Sequence, residues 1–169
     1  MVDATPGPAL TDLLAADAIA IGADAPDWRA AVRAAGDRLV AGGATRAAYT
    51  DEMIAAVEEL GPYMVIAPGI ALAHSRPSPA VLRAGMSIVT LRQPVTFGHP
   101  QNDPVRLVVG LAAPDEEGHV TALSTLAEFL ADAARLEALI AARTSEEVRR
   151  MVASFEEEQA APTTEGVPT

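Results

Sequence analysis

The chain has 169 residues, 50% of them hydrophobic, which suits one domain with a full core and leaves little room for a second. It contains no cysteine, so a disulfide framework, a thiolate nucleophile and a cysteine-based zinc site are excluded. A formal charge of -11 argues against nucleic acid or anionic lipid as a partner, because phosphate surfaces are held by basic ones.

After a Pro- and Gly-containing leader over residues 1–9, Leu10 to Ala16 reads as a short helix and Ala18 to Gly22 as a strand with alternating β-branched residues. Pro26 suits the first turn of a helix whose inner face is Trp28, Ala31, Val32, Ala35 and Leu39, stopped by Gly42 and Gly43. Tyr49, Met53, Val57 and Leu60 mark the next helix, ended by Gly61 and Pro62.

The period then changes. Tyr63 to Ala67, Ile70 to Ala73, Met86 to Leu91 and Val105 to Leu111 are short β-rich runs, separated by the turn signals Pro68-Gly69, Phe97-Gly98 and Asn102-Asp103-Pro104. Helices are expected again from Ala122 to Asp132 and from Ser145 onward, the latter opened by Thr144 and Glu147 at capping-box spacing. Strands flanked by helices on both sides in sequence predict an α/β fold, a mixed β-sheet of about five strands sandwiched between helices. The domain is expected over residues 10–155. Residues 156–169, with Glu156, Glu157, Glu158 and Glu165 among Pro, Thr and Ala, read as a disordered acidic tail. Apolar stretches are broken well before membrane-spanning length and the N-terminus carries Asp3, not a basic run, so no direct membrane insertion is expected and the protein should be soluble and unexported.

Three histidines are the candidates for chemistry. His74 follows the strand Ile70 to Ala73, at a strand end where a rigid sheet presents loop residues to solvent; position alone leaves a nucleophile and a surface histidine both open. His119 lies in the loop ahead of the expected helix, where a second imidazole would donate to an oxyanion beside a favourable helix dipole; an exposed loop histidine or a cap is the other reading. His99, between Gly98 and Pro100, reads as a solvated loop residue. No H-x-x-x-H, H-E-x-x-H, Walker loop, G-x-G-x-x-G or G-x-S-x-G is present, so metal, nucleotide and serine-nucleophile chemistry lack their signatures and no cofactor is expected. Histidine as nucleophile remains.

The string Gly61-Pro62-Tyr63-Met64-Val65-Ile66-Ala67-Pro68-Gly69-Ile70-Ala71-Leu72-Ala73-His74-Ser75-Arg76-Pro77 resembles the active-site segment of EIIA domains of the mannitol/fructose class of the sugar phosphotransferase system. The resemblance extends over Trp28, Gly42-Gly43, Tyr49 and Met53, and over Phe97-Gly98, Asn102-Asp103-Pro104-Val105, His119, Leu123 and Leu126-Ala127. It implies that His74 accepts a phosphoryl group and that His119 supports it, with Ser75 and Arg76 as weaker helpers. Ala73 stands where the family commonly has proline, which should loosen the backbone into His74, and Ser75 stands where it commonly has Ala or Gly.

The G-x-Y-x-V-I-A-P-G-I-A-L run followed by Arg76-Pro77 looks closest to ascorbate-type members. By this resemblance the protein is a cytoplasmic phosphocarrier, loaded by the phosphocarrier HPr and discharging to a cognate EIIB and through it to a membrane EIIC, with a homodimer left open. Met64, Ile70 and Leu72 read as core before they read as a partner-docking rim. A regulatory protein that uses the same histidine as a switch, binding protein partners instead of feeding transport, is the alternative.

Overall fold

A computed structural model describes residues 9–160 of the chain. The expected leader, apart from Ala9, and residues 161–169 of the expected tail lie outside the described residues. The element order is α1 (Leu10–Leu13), β1 (Leu14–Ala23), α2 (Trp28–Ala41), α3 (Ala47–Leu60), β2 (Val65–Ala67), β3 (Ile70–Ala73), β4 (Gly85–Val95), β5 (Val105–Ala112), α4 (Glu116–Leu130), α5 (Ala133–Ala141) and α6 (Ser145–Ala160).

The five strands form one mixed sheet in the order β1-β4-β5-β3-β2, with β1 parallel to β4, β4 antiparallel to β5, β5 parallel to β3 and β3 antiparallel to β2. The alternation of side chains along each strand splits the core into two layers. Ile70, Leu72, Met86, Ile88, Leu107, Val109 and Leu111 pack with α1, α4, α5 and α6 through Leu10, Leu126, Phe129, Leu139, Val148 and Phe155. Ala71, Ala73, Val89 and Val108 pack with α2 and α3 through Val32, Ala35, Leu39, Tyr49 and Met53. This is the expected sandwich.

Several boundaries move. The helix expected over Leu10 to Ala16 ends at Leu13, because Leu14 pairs with Met86 of β4 and the next residues continue as strand. Pro26 stands before the helix, not in its first turn: Asp27 is the N-cap, its carboxylate accepting from the Ala30 amide at 2.9 Å. Tyr63 and Met64 lie in the turn ahead of β2. The helix expected from Ala122 begins at Glu116 under an Asp115 cap on the Gly118 amide, so His119 sits on a helix and not in a loop. Asp132, read as a helix end, caps a further helix, α5, through the Arg135 amide. At α6 the Thr144 hydroxyl accepts from the Glu147 amide, while the Glu147 carboxylate accepts from the Arg143 amide, one residue short of the reciprocal box.

The first residues of the expected acidic tail are helical, since α6 carries Glu156 to Ala160. Phe155 is buried against Phe129, the Glu156 carboxylate accepts from the Thr11 amide and hydroxyl, and Glu158 pairs with Arg135. These contacts hold an acidic run that composition alone would leave unfolded.

Helix α2 reaches the sheet closely at one glycine. Gly110 of β5 faces Ser87 of β4, whose hydroxyl donates to the Ala35 carbonyl of α2 at 2.9 Å. A Cβ on Gly110 would collide with the Ser87 hydroxyl and come within 3.3 Å of Leu39 Cδ1 and 3.4 Å of the Ala35 carbonyl. Gly110→Ala should therefore destabilise the fold by about 1–3 kcal/mol, the usual cost of overpacking a filled site. Urea unfolding measures it, and an unchanged midpoint would show that the helix gives way freely.

Candidate functional site

β3 is short and wholly buried, paired with β5 on one side and β2 on the other, with Ala73 opposite Gly110 as its last pair. Ala73 is therefore held by sheet pairing, which offsets the looseness expected where a proline commonly stands. Gly69, at φ 76°, makes the tight turn from β2 into β3 that an L side chain would resist. The strand thus delivers His74 at a fixed point, just beyond its own end.

The His74 ring is half-buried, and its Nδ1 lies 2.7 Å from the Leu72 carbonyl. A carbonyl oxygen only accepts, so Nδ1 carries the proton and, in the neutral ring, the lone pair is on Nε2. Burial pushes the ring below its ordinary 6.5, the Leu72 hydrogen bond pulls it back up, and the neighbouring His119 adds a smaller downward push. A neutral imidazole with an unprotonated Nε2 is therefore the resting form near pH 7.

His119 projects from the first turns of α4, its amide bonded to the Asp115 carbonyl, and its ring centroid is 5.5 Å from that of His74. Its Nδ1 is buried with no hydrogen-bond partner among the described residues. A proton there would be an unpaired buried donor, so the neutral ring carries its N–H on Nε2. The two imidazoles are complementary: one offers a lone pair, the other a donor.

Two tyrosines complete the site. Tyr63 meets the His74 ring edge-on at 5.3 Å, and its hydroxyl donates to the His74 carbonyl at 2.7 Å. Tyr49, fully buried on α3, donates to the Leu111 carbonyl at 2.9 Å and accepts from the Ser75 amide at 2.9 Å. Burial chiefly pushes the Tyr49 phenol up to about 12, so it stays protonated. The sequence marks both tyrosines as apolar positions in a helix and a strand and as part of the family resemblance, and gives neither a role in the site. Their phenol partners are backbone groups distant in sequence or set by a turn, and nothing in residue spacing announces them.

His74, His119 and Tyr63 open onto a cleft of about 730 Å³ between α3 from Glu52 onward, residues 74–77 and the start of α4, while Tyr49 stays buried behind it. Ser75 and Arg76 line it; Arg76 is exposed and makes no ion pair among the described residues. Glu52, Glu59 and Glu116 give the cleft an acidic rim, with Glu52 also accepting from the Ser78 hydroxyl at 2.7 Å. The apolar part of the rim is Leu60 and Val120, 66% and 62% exposed, whereas Met64, Ile70 and Leu72 are core. A smaller groove of about 330 Å³ between α1 and α6 contains no histidine.

His99 is far from a plain solvated residue. Its Nδ1 accepts from the Asn102 amide at 3.0 Å and the Gln101 amide at 3.2 Å, while its own amide donates to Asp103, so it organises the β4–β5 turn. Among the described residues no group of three or more His, Asp or Glu side chains is gathered to hold a metal.

Residues 12–155 match the family described as "Phosphoenolpyruvate-dependent sugar phosphotransferase system, EIIA 2". The chain belongs to this EIIA family. The ascorbate-specific phosphotransferase system EIIA component of Escherichia coli K12 is 37% identical over 145 residues, covering 85% of this chain and 94% of that protein. The solution structure of CmtB, a mannitol-specific cryptic phosphotransferase enzyme IIA from Escherichia coli, superposes with a TM-score of 0.78 at 28% identity, covering 87% of this chain and 99% of that one. A complex of the Escherichia coli mannitol enzyme IIA with phosphorylated enzyme IIB gives 0.73 at 29% identity, covering 84% and 99%. The fold of this EIIA is thus the mannitol EIIA fold, and among its described residues no helix is long and apolar enough to cross a membrane.

Proposed function

We propose that this EIIA is a cytoplasmic phosphocarrier that takes a phosphoryl group from phospho-HPr on Nε2 of His74 and passes it to a cognate EIIB, feeding uptake of a sugar acid such as ascorbate through a membrane EIIC. The observation that carries this reading is the His74 ring itself, with Nδ1 tied to the Leu72 carbonyl and Nε2 left as the one lone pair beside a second imidazole. The 37% identity to ascorbate-specific EIIA components supports the substrate class.

In the loading step the Nε2 lone pair forms a bond to phosphorus while the donor's N–P bond breaks, its electron pair staying on the donor nitrogen. Positive charge develops on the His74 ring and is stabilised at Nδ1–H by the Leu72 carbonyl. The phosphoryl oxygens receive the Nε2–H of His119, with the Ser75 hydroxyl and the Arg76 guanidinium as further donors on the cleft wall. In discharge the same Nδ1–H makes His74 a neutral leaving group. No nucleotide or metal enters either step.

The cleft rim suits protein donors. Leu60 and Val120 offer apolar contact, and Glu52, Glu59 and Glu116 favour an approaching surface that is basic around its own phosphohistidine. Incubation with phosphoenolpyruvate, Enzyme I and HPr should label the protein, and labelled protein should lose its phosphoryl group when an ascorbate-type EIIB is added. Labelling without HPr, or label that no EIIB removes, would overturn the assignment.

The lowered His74 value sets the pH dependence. As pH falls below about 6.5 the unfolded ring protonates before the folded one, so stability declines from there down through the folded value and then levels. For the same reason the acid limb of labelling should have its midpoint below 6.5. Nuclear magnetic resonance titration of the His74 ring checks both; a midpoint at or above the ordinary value would count against the buried, neutral nucleophile.

A further inference from the structure

Both ends of one peptide unit, the His74 carbonyl and the Ser75 amide, are held by phenol hydroxyls from different elements: Tyr63 donates to the carbonyl at 2.7 Å, and Tyr49 accepts from the amide at 2.9 Å. The sheet register explains what Tyr49 displaces. The Leu72 amide points to the β2 side, where it donates to the Met64 carbonyl just ahead of that strand, so the amides of residues 71, 73 and 75 point to β5. Continuing the Ala73–Gly110 pairing two residues further would set Ser75 opposite Ala112, with the Leu111 carbonyl as the acceptor of its amide.

The Tyr49 hydroxyl stands in that place, taking the Ser75 amide on one side and giving its proton to the Leu111 carbonyl at 2.9 Å on the other. One oxygen atom is therefore inserted between two strands that would otherwise zip together. The strands part there, the chain leaves the sheet at His74, and the outer side of the same peptide is caught by Tyr63. Because the ring's Nδ1 must reach the Leu72 carbonyl two residues back, a peptide plane fixed immediately after His74 also fixes which ring nitrogen faces the cleft.

We propose that Tyr49 and Tyr63 are positioning residues for His74: Tyr49 wedges β3 from β5, Tyr63 clamps the released peptide, and together they hold the ring with Nε2 toward the cleft. The catalytic consequence rests on the phosphocarrier reading, but the geometric one does not. Both hydroxyls are committed to backbone groups, so removing either should alter the efficiency of transfer and not the docking of the donor.

The test uses Tyr49→Phe and Tyr63→Phe in the full chain, each first checked for folding by circular dichroism and urea unfolding. Wild-type protein with 15N-labelled histidine should show His74 as a single Nδ1–H tautomer, and each variant should show a mixture with Nε2–H. With phospho-HPr as donor, kcat should fall at least about tenfold, within the roughly 10²-fold that a misplacement of about 1 Å can cost, while KM stays within twofold. A single unchanged tautomer in the folded variants would overturn the proposal, as would a changed tautomer balance with wild-type kcat. Should wild type take no phosphoryl group, the phosphocarrier reading fails and the tautomer measurement alone decides the clamp. If the buried Tyr49→Phe does not fold, the half-exposed Tyr63→Phe carries the test.

Discussion

His74→Ala is expected to fold and to accept no measurable phosphoryl group, a loss of at least about four orders of magnitude when the nucleophile of a covalent relay is removed. No other histidine can replace it. His99 has its Nδ1 committed to the Gln101 and Asn102 amides in a turn, and His119 has its Nδ1 sealed without a partner. The fold should lose only about 1 kcal/mol, since the ring contributes one hydrogen bond to the Leu72 carbonyl and an edge contact to Tyr63. Labelling by phosphoenolpyruvate, Enzyme I and HPr, set beside a thermal melt of the same sample, separates loss of chemistry from loss of structure. Retained label would remove the nucleophile from this account.

The second large effect is expected at His119. Loss of one donor to a developing oxyanion costs about 10²–10³ in rate; His119→Ala should slow both loading and discharge by that range. His119→Gln, which keeps a side-chain N–H, should recover part of it. The partnerless Nδ1 means that truncation leaves no protein group newly unsatisfied, so the change should leave stability within about 1 kcal/mol. Single-turnover transfer from phospho-HPr measures the rates, and wild-type rates in His119→Ala would assign the second imidazole a purely structural place.

The parts of this fold that were legible in the sequence are those with a strong local period or stop. The helices around Ala31 to Leu39 and Tyr49 to Val57 end at glycines, and the strand at Ile70 to Ala73 follows a Pro-Gly turn; both kinds of signal act within a few residues. Leu14 to Ala16 carried no such signal, because leucine and alanine serve either helix or strand, and the parallel pairing of Leu14 with Met86 decided the matter from 72 residues away. α5 was missed for a different reason: Asp132 suits the end of one helix as well as the cap of the next, and its carboxylate is committed to the Arg135 amide. In the same way the Asp115 cap, seven residues ahead of the expected helix start at Ala122, moved His119 from a loop onto α4.

For the site, the histidines were legible and their surroundings were not. His74 could be singled out because it stands at a strand end, and the structure brings His119, Ser75 and Arg76 to the same cleft. What makes the two imidazoles complementary, however, is a carbonyl two residues back for one and a buried, unpartnered nitrogen for the other. Both are properties of packed backbone. The tyrosine pair is the extreme case, since Tyr49 lies 26 residues from Ser75 and 62 from Leu111 in sequence. Exposed Leu60 and Val120 are also ordinary amphipathic-helix residues until the ends of α3 and α4 meet across His74.

The most direct measurement is the position of phosphorus on the ring. Protein with 15N-labelled histidine, phosphorylated through HPr, should show coupling between phosphorus and Nε2 of His74, with Nδ1 still protonated against the Leu72 carbonyl. Phosphorus on Nδ1 of His74, or on His99 or His119, would contradict the account.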